Sequence, residues 1–168
     1  LWSHPLVNRP ENQLVGAGTM FGGMQRSKGQ YMDGSGAYTV YQPDHWVFSG
    51  TGLKQGQQFG ARDRIVGYEC DGCEHTYMNG IPVPTGRDRT PKGFLILALA
   101  PASWAPDEWQ WYEGWENGRA GNACMGIHSA PAGGTVFTAA TTGWTRGLQG
   151  RGPIVETITR NVLDRLSK

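Results

Sequence analysis

Glycine occupies 26 of the 168 positions in this chain, about twice its usual share of roughly 7%. Because glycine adopts positive φ angles at little cost and has no side chain, this content predicts many turns and close approaches between backbones. The glycines follow no three-residue period, which excludes a collagen-like fibre. The apolar residues reach a globular share only when glycine is counted with them, and a chain of this length predicts one core in a single domain over residues 1–168.

The charge balance excludes several classes of partner. Fifteen Lys and Arg against 14 Asp and Glu leave a net charge of +1, too small to attract nucleic acid or an anionic membrane surface. The longest apolar run, residues 94–100, is far shorter than the ~20 residues that a membrane span needs. Three cysteines cannot all pair with one another and no secretory leader is visible, so we expect reduced thiols and a cytoplasmic location.

Short apolar stretches bounded by turn residues predict strands near residues 12–19, 64–69, 94–100 and 134–140. The third is apolar at every position, which is typical of a strand buried on both faces, and Pro101 should end it. Residues 153–167 begin with a proline and repeat apolar side chains every four positions, which predicts a helix. Together these elements indicate an α/β fold with a C-terminal helix.

The remaining segments predict short strands and connections. Residues 37–41 and 46–48 are rich in β-branched and aromatic side chains, which favours two short strands. Residues 80–93 hold three prolines that lack an amide donor, so they should form a surface connection. Residues 101–122 interleave tryptophan with acidic residues, which indicates a lid-like or packing insertion.

Several segments, in order along the chain, resemble one protein family. They are NRPENQLVG at 8–16, HWVFSGTGL at 45–53, IVGYECDG at 65–72, and GGTVF at 133–137 continuing through Trp144 to NVL at 161–163. The chain resembles the C-terminal part of the N,N-dimethylformamidase large (beta) subunit family over nearly its whole length. The departure from the family pattern is a pair of cysteines, Cys70 and Cys73.

The resemblance implies a layered sheet like that of class I glutamine amidotransferases, with most of the subunit lying upstream of Leu1. The absence of an initial Met suggests the same, a piece of something longer. In the family, a formamide C–N bond is hydrolysed at a mononuclear iron held by tyrosine and carboxylate side chains of the upstream part. The expected partners are therefore that upstream segment or chain, a small amide substrate and, in an oligomer, further copies.

The resemblance also implies one acidic site residue, and the matching position is Glu69. An amide resists water, so its hydrolysis needs an activated nucleophile, stabilisation of the developing negative charge and a proton carrier for the departing amine. A carboxylate at a strand end suits the last role. The alternative is structural, with Glu69 forming a salt bridge to Arg62 or Arg64 or accepting backbone N–H bonds from the turn 70–73.

Two non-hydrolytic hypotheses stay open. Cys70, Cys73 and His75 have spacings that supply three corners of a tetrahedral zinc site, and Cys124 or His128 could complete it. A Cys70 and Cys73 redox pair is less favoured, because such pairs normally open a helix and Gly72 indicates a turn. The domain could instead be a non-catalytic interface module that packs against the upstream part and a partner subunit.

Overall fold

The computed structural model describes residues 6–25, 32, 34–106, 118–148 and 152–168, and they form a mixed α/β fold. The strands are β1 Gly18–Met24, β2 Tyr38–Val40, β3 Gln58–Phe59, β4 Glu69–Gly72, β5 His75–Met78, β6 Ile81–Pro84, β7 Leu95–Trp104, β8 Arg119–Ser129 and β9 Thr135–Thr138. The α-helices are α1 Asn12–Val15 and α2 Pro153–Leu166, and 3₁₀ turns span Trp46–Phe48, Ala61–Asp63 and Thr142–Leu148.

Seven of the described strands form one sheet, and β5 and β6 form a separate hairpin. The long antiparallel pair β7 and β8 lies at its centre, with β9 beside β8 and β2 followed by β3 beside β7. Strand β1 pairs with β4 at both ends, with an irregularity between Gly18 and Gly23, and joins the sheet through one parallel pairing, Met24 with Trp104. The sheet is therefore predominantly antiparallel.

The ribbon formed by β1 and β4 crosses β8 with backbone against backbone, and glycine makes this crossing possible. A Cβ added to Gly121 of β8 would overlap the carbonyl oxygen of Gly22. A Cβ on Gly22 or on Gly72 would likewise overlap carbonyl oxygens of neighbouring strands. The close approaches predicted from the glycine content therefore occur where they fix the position of β4.

Helix α2 confirms the predicted C-terminal helix almost residue for residue. Pro153 occupies the first turn, where its missing amide costs nothing, and Glu156 lies in the same turn. Val155 and Ile158 are buried in the main apolar core, which also contains Tyr38, Phe59 and residues of β7 and β8. Within the described part of the chain, no helix is long and apolar enough to cross a membrane.

Two of the predicted strands are wrong over most of their length. Residues 12–15 of the predicted strand 12–19 form helix α1, which Gly16 ends in the left-handed conformation, and β1 starts only at Gly18. In the predicted strand 64–69, Ile65 and Val66 are buried outside any strand, and Arg64 has a φ of 46°. A buried apolar run followed by a carboxylate belongs here to a loop, and β4 begins at Glu69.

Of the other predicted strands, three are confirmed and one is not. Strands near 37–41 and 134–140 are confirmed by β2 and β9, whereas residues 46–48 form a 3₁₀ turn. Strand β7 confirms the strand predicted at 94–100 but continues through Pro101. On one edge of β7, the described residues pair with β2 as far as Leu99 and with β1 at Trp104. Pro101 lies between these two pairings, so no described strand on that edge needs its missing amide.

The two segments predicted as connection and insertion both contribute strands. The predicted connection 80–93 begins with β6, whose prolines are tolerated in a two-stranded hairpin with only edge strands. The predicted insertion 101–122 contains the end of β7 and the start of β8, and its residues 107–117 lie outside the described residues.

Candidate functional site

A cavity of about 470 Å³ lies between β4 and the segment that follows β9. One wall carries Glu69, Cys70 and Asp71, and the opposite wall is formed by residues 137–142, with Val15 and Thr19 at one end. The two walls are joined by main-chain and side-chain bonds: the Asp71 amide donates to the Ala140 carbonyl at 3.0 Å, and the Thr142 hydroxyl donates to the Glu69 carbonyl at 3.2 Å. Backbone bonds therefore fix where the β4 side chains project.

Glu69 and Asp71 are two residues apart on β4, so strand geometry places both carboxylates on the same face. Both line the cavity and both are half-buried. The residues between and after them, Cys70 and Gly72, are buried on the opposite face. The alternation thus separates a carboxylate face from a face that packs inside the protein, and Cys70 also borders the cavity where it meets Thr141.

Asp71 has the more perturbed environment. Burial raises the pKa of its carboxyl, the hydroxyl of Thr19 opposes this by donating to Oδ1 at 3.0 Å, and the charges of Glu11 and Glu69 raise it further. The amide of Thr19 in turn donates to the Glu11 carboxylate at 3.0 Å. Two carboxylates therefore accept hydrogen bonds from Thr19, and that of Asp71 binds a proton more readily than an exposed aspartate does.

Glu69, the predicted catalytic residue, is placed at the cavity wall. The alternative salt bridge to Arg62 or Arg64 is not formed: within the described part of the chain, the one ion pair found joins Arg87 to Glu74. Asp71 was missed by the sequence analysis because the strand was expected to end at Glu69. Had residues 69–72 been interpreted as strand, the Glu-x-Asp alternation would have indicated two carboxylates on one face.

Cys70 lies apart from the other two cysteines, which does not support the alternative hypothesis of a zinc site built on Cys70, Cys73 and His75. The Cys70 sulfur faces the carbonyl oxygen of Gly67 and the hydroxyl of Thr141 at 3.8 and 3.6 Å. The Cys73 sulfur instead lies 3.3 Å from that of Cys124. Among the described residues, no group of three or more His, Cys, Asp or Glu side chains is arranged to hold a metal ion.

The two histidines of the alternative zinc hypothesis lie in different parts of the structure. His75 is half-buried and its Nδ1 lies 3.2 Å from the Cys73 carbonyl oxygen. His128 is buried on β8 against the ring of Phe94, and its burial lowers its pKa. His75 therefore belongs to the surroundings of the Cys73 and Cys124 sulfurs, and His128 to the core.

Comparison with known families gives one match. The family described as N,N-dimethylformamidase beta subunit-like, C-terminal, matches residues 1–159 of the chain. No curated protein matches the chain. The matched region includes both walls of the cavity and all but the last turns of α2.

Proposed function

Because the chain belongs to the N,N-dimethylformamidase beta subunit-like C-terminal family, we propose that it is the C-terminal part of an amidohydrolase. In this proposal Glu69 supplies an acidic group to the hydrolysis of a small amide C–N bond. The observation that carries the assignment is the position of Glu69 on the wall of the 470 Å³ cavity, with its carboxylate outside any ion pair of the described residues.

The chemistry assigned to Glu69 is proton transfer. In its carboxylic acid form the side chain donates a proton to the departing amine nitrogen, and the resulting carboxylate then accepts one from the incoming water. Asp71 lies on the same face of β4, where burial first and the charge of Glu69 in addition raise the pKa of the Asp71 carboxyl. A pair of acidic groups at one wall therefore supports acid and base roles within a single cavity.

The family resemblance adds an iron centre, and the described residues do not fit one, because no group of them is arranged to hold a metal ion. We therefore assign no step of this chain to iron and place its tyrosine and carboxylate ligands in the part upstream of Leu1. The proposal includes a partner subunit, an oligomeric enzyme in the cytoplasm and a layered sheet like that of class I glutamine amidotransferases. The family's beta subunit description supports the partner subunit, and the packing of α2 on the sheet core supports the layered arrangement.

Substitution of Glu69 in the assembled enzyme tests the proposal. Glu69→Gln keeps the size of the side chain and removes the exchangeable proton, so kcat for a small formamide should fall by about 10²–10⁴-fold. Glu74→Gln is the matched control, since Glu74 follows β4 outside the cavity and its ion pair with Arg87 is at the surface. Full turnover by Glu69→Gln, with the control also unchanged, contradicts the catalytic assignment.

A non-catalytic interface role is the second candidate, and the exposed apolar residues favour it. Leu6 and Leu14 are 91% and 72% exposed near the start of the described chain, and Leu163 is 60% exposed on α2. Where such exposed side chains adjoin one another in a continuous apolar patch, they mark an interaction site. If the interface role is the correct one, Leu14→Asp releases the partner while Glu69→Gln leaves turnover intact.

A further inference from the structure

We propose that Cys73 and Cys124 form a reversible disulfide that fastens the end of β4 to β8, with a small peroxide as oxidant. The proposal is independent of the proposed amide hydrolysis. It also replaces the redox pair that the sequence spacing suggested, because Cys70 lies on the other side of the β4 backbone bend and faces Thr141.

The geometry of the two sulfurs carries the inference. They lie 3.3 Å apart, and a disulfide needs a separation of about 2.05 Å, so each sulfur has to move by roughly 0.6 Å. Both side chains are fully buried, and their residues are 51 positions apart along the chain. Cys73 follows β4 and Cys124 lies in β8, so the fold brings together two sulfurs from different parts of the sheet.

The backbone around Cys73 is held in place against β8. The Cys73 amide donates to Oδ1 of Asn122 at 3.2 Å, and Nδ2 of the same asparagine donates back to the Cys73 carbonyl at 2.9 Å. Asn122 precedes Cys124 by two residues on β8, so both cysteines belong to one rigid junction. Closing the disulfide therefore requires side-chain rotation rather than movement of a strand.

The charges near the pair distinguish the two thiols. The hydrogen bond between them lowers the pKa of Cys73 to about 7, with His75 acting in the same direction, whereas burial raises the pKa of Cys124. The other charged group facing the pair is Asp88, which opposes ionisation of both thiols. Cys73 is thus the nucleophile and Cys124 the resolving thiol.

The reaction balances with one peroxide. The Cys73 thiolate attacks one oxygen of hydrogen peroxide, the O–O bond breaks, and the departing hydroxide takes up a proton to become water. The Cys124 thiol then attacks the Cys73 sulfenic acid, the S–S bond forms, and the second oxygen leaves as water. Two thiols lose two electrons in total, and the peroxide gains them. A peroxide is small enough to reach sulfurs without exposed surface through local opening of the chain.

Peptide mapping of the native protein tests the proposal. The protein is treated with hydrogen peroxide, its remaining thiols are alkylated under denaturing conditions, and its peptides are analysed by mass spectrometry. We expect one linked peptide pair containing Cys73 and Cys124, an alkylated Cys70, and loss of the link after dithiothreitol. The oxidised protein should unfold at a temperature higher by about 5 °C or more, because the bond closes a long loop.

Single substitutions assign the order of the steps. Cys70→Ser is the matched control, since this third buried thiol is outside the pair, and it should form the same link. In Cys124→Ser the sulfenic acid on Cys73 has no resolving thiol, so dimedone should label Cys73. Three fully alkylated cysteines after peroxide treatment, a link between Cys70 and Cys73, or dimedone label first on Cys124 would overturn the proposal.

Discussion

Two aspartates, the half-buried Asp71 and the buried Asp88, show how differently this fold uses the same side chain. Asp88 is 8% exposed, and its carboxylate accepts hydrogen bonds from the Glu74 amide at 2.6 Å, the Thr90 amide at 3.0 Å and Nδ2 of Asn12 at 3.1 Å. Asp71 accepts one side-chain hydrogen bond, from Thr19, and faces the cavity. The first carboxylate is fully satisfied by the protein, and the second has acceptor positions left for a ligand.

The comparison shows that burial alone does not identify a functional carboxylate. Asp88 is hydrogen-bonded to α1, to the β4–β5 bend and to Thr90, so its carboxylate holds three segments together. Asp71 and Glu69 are held by their backbones, which leaves their carboxylates free to act on something else. We therefore expect substitutions of Asp88 to change stability and substitutions on the cavity face to change chemistry.

The largest effect should come from the glycine crossing on which both regions depend. Gly121→Ala places a Cβ against the carbonyl oxygen of Gly22, and backbone atoms cannot move aside as a flexible side chain can. We expect a loss of about 3 kcal/mol or more in the free energy of unfolding, measured by urea titration. Gly134→Ala is the control, because nothing lies within 4 Å of its added Cβ. Equal stability of the two variants would contradict a close-packed crossing.

Removing the satisfied carboxylate should have the next largest effect. Asp88→Ala leaves two backbone amides and the Asn12 side chain without their acceptor in a buried position, which should cost about 2–4 kcal/mol of stability. The exposed Asp164 on α2 offers a control, and its Ala variant should unfold within about 0.5 kcal/mol of the wild type. A loss at Asp88 no larger than this control would remove the structural half of the comparison.

A smaller loss of stability is expected when a buried hydrogen bond beneath the cavity wall is removed. Tyr38 is fully buried, and its hydroxyl donates to the Ala139 carbonyl at 2.5 Å, which positions one of the lining residues. Tyr38→Phe keeps the ring and removes the donor, so we expect a loss of about 1–2 kcal/mol in thermal or urea unfolding. Tyr77→Phe, on the exposed β5–β6 hairpin, should leave stability unchanged. Identical behaviour of both variants would show that the buried bond contributes nothing.

The smallest predicted effect concerns Asp71 and is the direction in which stability changes with pH. Burial raises the pKa of this carboxyl, so the folded chain binds its proton more tightly than the unfolded chain and loses stability as the pH rises through that interval. Asp71→Asn still accepts from Thr19 but has no charge to bury. Its stability relative to the wild type should therefore increase from about pH 3 to pH 7, by less than about 1 kcal/mol. A relative decrease over this range would show that the carboxylate is stabilised by its surroundings.

The successful sequence predictions share a local cause. Helix α2, β9 and most of β7 were predictable because their own residues fix them: a proline at the helix start, a regular apolar period, and an uninterrupted apolar run. Strand β8, the longest in the described chain, was not predicted, because its glycines and Asn122 are typical of loops. Those same small residues are required where the β1–β4 ribbon crosses.

The candidate site was only partly predictable from the sequence. The segment around Glu69 was identified from the sequence, whereas Asp71 was missed because the strand was expected to end at Glu69, three residues before the end of β4. The pairing of Cys73 with Cys124 had no sequence signal at all, since 51 positions separate them and nearer cysteine and histidine partners were available.

The amino-acid sequence by itself determined the family, the C-terminal helix and the glycine-dependent close packing, and it gave the segment around Glu69 as the candidate site. Only the tertiary structure decided which side chains meet: Glu69 and Asp71 across from residues 137–142, Cys73 beside Cys124, and Asp88 inside a closed network. The physical reason is that helix and strand periods arise from neighbours along the chain, whereas contacts between distant strands depend on register and crossing, which no local pattern encodes.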